Sequence, residues 1–291
     1  EIVAMDRSIG NLRQGLRDMG IADNTLVWFT SDNGGTPDAD TRVTFVERED
    51  GQLVRDSLEY PSNCSDEIDY DLTSLEAREL FGCYRGVDPD SGGHLRGFKK
   101  DFYEGGLRVP TIVEWPKRIR PRVSNFPSGT VDIFPTMIDV ARLAPNSINR
   151  VHDGISIADV FENEIPRRDK PLGFRANDGR AWLDNDWKLL QNVLLVDGEL
   201  VTGPFELYNI IGDPGEEYNL IELYPEVADQ MRQQLDSWSV SVSRSALGAD
   251  YPEGEVLPSG RDEEPVITER REMRMKEWAE EVRLSEVRVL P

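Results

Sequence analysis

Thr25-Leu26-Val27-Trp28-Phe29-Thr30, running straight into Ser31-Asp32-Asn33-Gly34-Gly35, decides the fold. The first six residues are almost unbroken in apolarity and rich in β-formers. That is the pattern of a strand buried on both faces, and its natural host is a mostly parallel α/β sheet. At the strand's carboxyl end, polar side chains and two glycines emerge together, and open α/β sheets bind ligands at that edge. Just upstream, Met5, Ile9, Leu12, Leu16 and Met19 recur at spacings of four, three, four and three. These spacings predict a helix that ends at Gly20 and packs one side against something.

Downstream, residues 36–93 are acidic, aperiodic and rich in turn formers, apart from a short helix expected after Thr73, and read as an insertion. Order returns at 95–115 with a glycine-rich turn and a second core strand, Val109 to Trp115. A helix follows over 131–143, with Ile133, Met137, Ile138 and Ala141 on one side. Between 170 and 211, short β-rich runs flank Asp178-Gly179 and Asp197-Gly198, dipeptides that favour tight hairpins. Pro225 opens a helix expected to run to Trp238 and cover this small antiparallel sheet. The predicted organisation is 1–165 for the larger α/β part, 166–244 for the small antiparallel subdomain, and 245–291 for a charged extension. Glu269–Arg283 within that extension reads either as a solvated helix or as a tail.

The chain has 291 residues and a formal charge of −22, which argues against nucleic acid or an anionic membrane as a partner. No apolar run approaches the ~18 residues of a membrane span. The sequence opens at Glu1 directly in a helical repeat, so the natural start is expected upstream, together with any export signal. Its two cysteines, Cys64 and Cys83, could close one disulfide loop or remain free thiols. With only His94 and His152 beside them, a structural zinc site is not expected. Both histidines read as surface or loop residues.

Asp32 and Asn33 are hard oxygen donors suited to Ca²⁺ or Mg²⁺, and Gly34-Gly35 lets the backbone turn sharply beside them. Asp-Asn-Gly alone is also a common turn sequence. It is followed, however, by Leu95-Arg96-Gly97-Phe98-Lys99 and Tyr103-Glu104-Gly105-Gly106-Leu107-Arg108-Val109-Pro110. Further echoes come in order: Asp132-Ile133-Phe134-Pro135-Thr136, Asp153-Gly154-Ile155-Ser156, and Glu206-Leu207-Tyr208-Asn209 with Asp213-Pro214 and Asn219-Leu220. This series resembles the second half of a formylglycine-dependent sulfatase of the alkaline-phosphatase-like superfamily, over Glu1 to Trp238.

The resemblance implies a partial alkaline-phosphatase-like sandwich and a sulfuric ester hydrolase. It implies that Asp32 and Asn33 ligate a divalent cation, usually calcium, and that Lys99 contacts the sulfate, with Lys100 as its neighbouring competitor. Glu104 and Arg108 are expected to shape the loop rather than touch substrate. The family nucleophile is a cysteine or serine oxidised to formylglycine, followed at the second position by a small residue or proline and at the fourth by arginine. Cys64 is followed there by Asp66 and Ile68, Cys83 by Arg85 and Val87, and no serine fits. The nucleophile and the upstream aspartate pair of the cation site are therefore expected outside this sequence, and the segment alone is expected to be inactive.

The expected substrate is a small or carbohydrate sulfate ester, since the acidic 36–93 segment would repel densely sulfated polymers. By family, an exported location is expected: periplasmic, extracellular or lysosomal. The alternatives are a phosphonate or phosphate ester hydrolase of the same superfamily, or a non-catalytic sulfatase-like binding protein.

Overall fold

A computed structural model describes residues 2–35, 45–47, 53–55, 95–148, 151–176, 179–196, 199–250 and 265–287. Helix α1, Ile2–Asp18, forms as its periodicity predicts. It stops at Gly20, whose φ of +70° suits the left-handed position that closes a helix. There the Gly20 N–H donates to the Arg17 carbonyl and the Ile21 N–H to that of Leu16. The apolar stripe, however, lies open: Met5, Leu12 and Met19 are exposed, and no residue of α1 is buried. Side-chain hydrogen bonds tie α1 to the sheet at its surface, from Arg13 Nε and Nη2 to the Glu114 carboxylate, both at 2.7 Å.

Strand β1, Val27–Thr30, is half-buried rather than covered on both faces. Two short strands, β2 (Phe45–Glu47) and β3 (Leu53–Arg55), pair within the segment read as aperiodic. The rest of that segment, with Cys64, Cys83 and His94, lies outside the described residues. A one-turn helix α2, Glu104–Leu107, leads into β4, Thr111–Glu114.

β4 pairs with β1 antiparallel, Thr30 opposite Thr111 and Val27 opposite Glu114. The expected sheet was mostly parallel, and this differs from it. All six strand ladders among the described residues are antiparallel. An apolar run reports burial but not direction. The antiparallel return has a consequence for the site, because it sets the residues before β4 beside the loop that follows β1.

Helix α3, Ile133–Val140, buries Thr136 and Ile138 and rests on the loop 153–157. A four-stranded meander follows: β5 (Leu172–Ala176), β6 (Gly179–Asp184), β7 (Trp187–Gln191) and, after the hairpin β8 (Val193–Val196) and β9 (Glu199–Thr202), β10 (Glu206–Asn209). The order in space is β10-β7-β6-β5. Ala176 sits opposite Gly179 and Val196 opposite Glu199, two tight hairpins where they were expected; Asp197-Gly198 separates the strands of the second, whereas in the first Gly179 is already the first residue of β6.

Alternation gives the sheet two apolar faces. Trp182, Leu189 and Leu207 meet Ala228, Met231 and Leu235 of helix α4, Pro225–Ala246. Ala181, Leu190 and Tyr208 meet Phe102 and Tyr103 from the glycine-rich turn. α4 runs past Trp238 because small, buried Ser239 and Ser243 keep its inner face close to the sheet. It ends at Gly248, φ +92°. The charged extension contains helix α5, Pro265–Val287, whose Glu281 carboxylate lies 3.0 Å from Arg175.

Candidate active site

Three glycines weld the two motifs together. The Gly34 N–H donates to the Gly106 carbonyl at 3.0 Å, the Lys99 N–H to the Gly35 carbonyl at 2.7 Å, and the Gly105 N–H to the Arg96 carbonyl at 2.7 Å. A Cβ on Gly34 would fall 1.8 Å from the Gly105 carbonyl oxygen. One on Gly105 would fall 2.2 Å from that of Gly97, and one on Gly106 2.3 Å from that of Asp101. The obstacles are backbone atoms, which cannot swing aside, so a side chain at any of the three would push the loops apart.

On this base Asp32 and Lys99 are exposed and Asn33 is half-buried. Asn33 Nδ2 donates to the Gly34 carbonyl at 2.8 Å, and Ser31 Oγ donates to the Asn33 carbonyl at 3.0 Å. The local bonds thus use the donor side of the Asn33 amide and fix the loop. Asp32 and Lys99 are joined through the main chain of their loops, with no ion pair between them. The turn after Lys99 is tight, Lys100 standing at φ +90° in the region that favours glycine.

Beneath the rim lies a buried polar frame that the sequence reading did not reach. The Lys188 ammonium, fully buried, is 2.9 Å from Glu104 and 2.9 Å from Glu216. The Glu216 carboxylate also accepts the Glu104 N–H at 2.6 Å. Burial pushes the Glu216 carboxyl above its ordinary range, against the lowering pull of Lys188 and of the Glu104 N–H. Glu216 adopts φ +53°, a costly conformation for a residue with a Cβ, and this network holds it there.

Arg96 extends the frame. It stacks on the Tyr103 ring at 3.9 Å and donates to the Tyr208 hydroxyl at 3.0 Å and the Glu216 carbonyl at 2.8 Å. Desolvation acts against its charge, while the Glu206 carboxylate and the hydrogen bond to the Tyr208 oxygen help to outweigh it and raise its pKa. Burial and the Glu206 carboxylate push both tyrosines well above the ordinary phenol range, so they stay protonated and donate to Glu206. The signal in the sequence was Lys188 itself, set in the otherwise apolar strand Trp187-Lys188-Leu189-Leu190, since a buried lysine must be paired.

The later motifs build a second buried joint. Asp132 and Arg168 form a bidentate pair with two contacts of 2.8 Å, and Asp132 also accepts the N–H groups of Gly129 and Ile155. Such a fully hydrogen-bonded pair fixes geometry. Glu104 is shielded and Arg108 exposed, 3.9 Å apart, so Glu104 belongs to the frame. His152 is a half-buried loop residue.

Asp32 and Asn33 fit a calcium or magnesium ion in the kind of donor they offer, not in number, because Ca²⁺ takes about six to eight oxygens. Among the described residues no group of three His, Cys, Asp or Glu could hold a metal ion. Among the described residues, Asp32 and Asn33 thus fall short of a full coordination shell by themselves.

A strand end bearing Asp-Asn-Gly is thus locked to a lysine turn, and Asp32 and Lys99 stand exposed at one edge. The profile of the Sulfatase family matches residues 1–143. The chain is 23% identical to N-acetylgalactosamine-6-O-sulfatase from Bacteroides thetaiotaomicron, over 81% of this chain and 40% of the relative. It is 29% identical to steryl-sulfatase from Mus musculus over 58% of this chain and 21% of the relative. The chain thus spans two fifths or less of the length of these relatives. Among solved structures, Ps i-CgsB in complex with k-i-k-neocarrahexaose aligns with a TM-score of 0.58 at 21% identity, covering 96% of this chain and 48% of that one. A Bacteroides thetaiotaomicron structure described with the metabolism of multiple glycosaminoglycans aligns at 0.54 and 20% identity, over 80% of this chain and 42% of that one. The fold is that of the sulfatases.

Proposed function

We propose that this chain forms the cation-and-sulfate part of a sulfuric ester hydrolase acting on a small or carbohydrate sulfate ester. The observation that carries the reading is the three-glycine weld, in which Gly34, Gly105 and Gly106 bind the Asp32-Asn33 loop to the Lys99 turn. Lys99, exposed and without a carboxylate partner among the described residues, is placed to offset charge growing on a sulfuryl oxygen as the ester bond breaks. Asp32 and Asn33 supply hard oxygens to Ca²⁺, or Mg²⁺, alongside donors from outside this sequence. When bound, the cation supplies Lewis-acid polarisation of the sulfuryl oxygens. Attack at sulfur requires a nucleophile that no cysteine or serine here matches, so formylglycine is assigned to residues beyond this sequence and the segment alone is inactive.

The N-acetylgalactosamine-6-O-sulfatase relative supports a sulfated carbohydrate as substrate. No helix among the described residues is long and apolar enough to cross a membrane, and an exported location follows from the family reading. The reading is tested by assaying the full-length protein on sulfated monosaccharides, an aryl sulfate, and matched phosphate and phosphonate esters. Sulfate esters are expected to turn over fastest; a clear preference for phosphate or phosphonate esters would overturn it.

A further inference from the structure

A second polar groove, of about 280 Å³, opens between the small sheet and helices α4 and α5, apart from the metal loop. Its floor is a row across three strands: Arg175 of β5 stands opposite Arg180 of β6, which stands opposite Gln191 of β7. Two guanidinium groups directly opposed on neighbouring strands are unfavourable by themselves. Each is offset by a carboxylate brought from a helix. Arg175 Nη2 is 3.0 Å from Glu281, and Arg180 Nη1 is 2.6 Å from Asp236. Arg175 Nη1 is further spent on the Ser239 carbonyl at 3.0 Å and the Ser243 hydroxyl at 2.9 Å, and Arg180 Nε on Gln191 at 3.1 Å.

These bonds fix the planes of both guanidiniums without exhausting them. Among the described residues, Arg175 keeps Nε, Arg180 keeps Nη2, and Glu281 keeps Oε1 without a hydrogen-bond partner. Ser239, 1% exposed, lines the groove with a hydroxyl that has no partner among the described residues. Thr202 adds an exposed hydroxyl at the mouth. Unsatisfied buried hydroxyls are rare in folded proteins and ask for a ligand or water. The unused groups include donors and acceptors alike. An anion can use only donors, would face the Glu281 carboxylate, and would find both arginines already neutralised in a chain of formal charge −22. A ligand with adjacent hydroxyls can use every group present, each hydroxyl giving one hydrogen bond and accepting others.

We propose that this groove binds one ring of a hydroxyl-rich sugar, gripped by Arg175, Arg180, Thr202, Ser239 and Glu281. The volume lies just under the ~300 Å³ at which pockets for drug-sized ligands begin, which suits a single ring. The site involves none of the metal-loop residues and stands whether or not the sulfatase reading holds. A shallow polar groove of this kind gives weak affinity, on the order of 1 mM.

The test is saturation-transfer NMR and calorimetry on the full chain with glucose, galactose, N-acetylgalactosamine and lactose, and with sodium sulfate as the competing chemistry. At least one sugar is expected to bind saturably, and Thr202→Val and Glu281→Gln are each expected to weaken it about tenfold, with the circular dichroism melt of Thr202→Val unchanged. Thr202 is exposed, so its isosteric replacement keeps the fold. Absence of saturable sugar binding would overturn the proposal, as would sugar binding indifferent to both substitutions. Sulfate binding that depends on Arg175 and Arg180 while the sugars stay inert would overturn it too.

Discussion

The rim and the frame beneath it are a few residues apart and built on opposite principles. Asp32 and Lys99 stand in solvent with no ion pair between them, whereas Glu104, Lys188 and Glu216 are shielded and paired at 2.9 Å. Exposed charges contribute little to stability and remain available for chemistry. Buried charges stabilise little as a set yet cost heavily when one partner is lost. The difference teaches that substitutions in one region should change function at constant stability, while substitutions in the other should change stability first.

The largest effect is expected at Lys188→Met, which leaves two buried carboxylates facing one another without a counter-charge. Urea titration of the chain should show a loss of about 3–5 kcal/mol. Replacing Glu104 and Glu216 by Gln in the same chain should recover much of it. A stability change below about 1 kcal/mol for the single variant would show that the cluster is hydrated rather than shielded.

Gly34→Ala comes next, because its Cβ would meet the Gly105 carbonyl oxygen at 1.8 Å. A loss of about 3 kcal/mol is expected from the forced separation of backbone. In the full-length protein the same change should lower turnover, since it moves the Asp32 loop away from Lys99. A variant as stable as the parent would mean that the loops are not welded.

The smallest effect, and the most specific, is a pH dependence. Burial raises the Glu216 pKa above its ordinary value of 4.5, so the folded state holds that proton more tightly than the unfolded chain does. Its contribution to stability is therefore greatest below the ordinary value and declines as pH rises through the folded one. Glu216→Gln cannot ionise and escapes this decline. As pH rises from the ordinary carboxylate value through the raised folded one, the variant should gain on the parent in urea titrations. A shift of the opposite sign would mean that Lys188 outweighs desolvation.

Local chemistry made most elements readable in the sequence. Gly20 marked the end of α1, Asp-Gly pairs marked the hairpins, and Pro225 marked the start of α4. Strand direction was not readable, because the apolar run Leu26–Phe29 is equally consistent with parallel or antiparallel neighbours. The serines after Trp238 also concealed the last two turns of α4, since serine favours caps and turns while here Ser239 and Ser243 serve as small packing residues. For the proposed site, contiguous motifs marked Asp32, Asn33 and Lys99 as candidates. The frame was hidden because Glu104, Lys188 and Glu216 meet only after the sheet folds. Their separation in sequence carries no spacing signal, and only Lys188, charged within an apolar strand, marks itself.

The most direct measurement is the turnover of a sulfate ester by the full-length protein with Lys99→Ala, taken together with its melting temperature. The expected result is a fall in kcat/KM of about 10²–10³ with a melting temperature within about 2 °C of the parent, the mark of an exposed residue that works on substrate. Unchanged turnover, or a fall accompanied by unfolding, would contradict the division between a chemical rim and a structural frame.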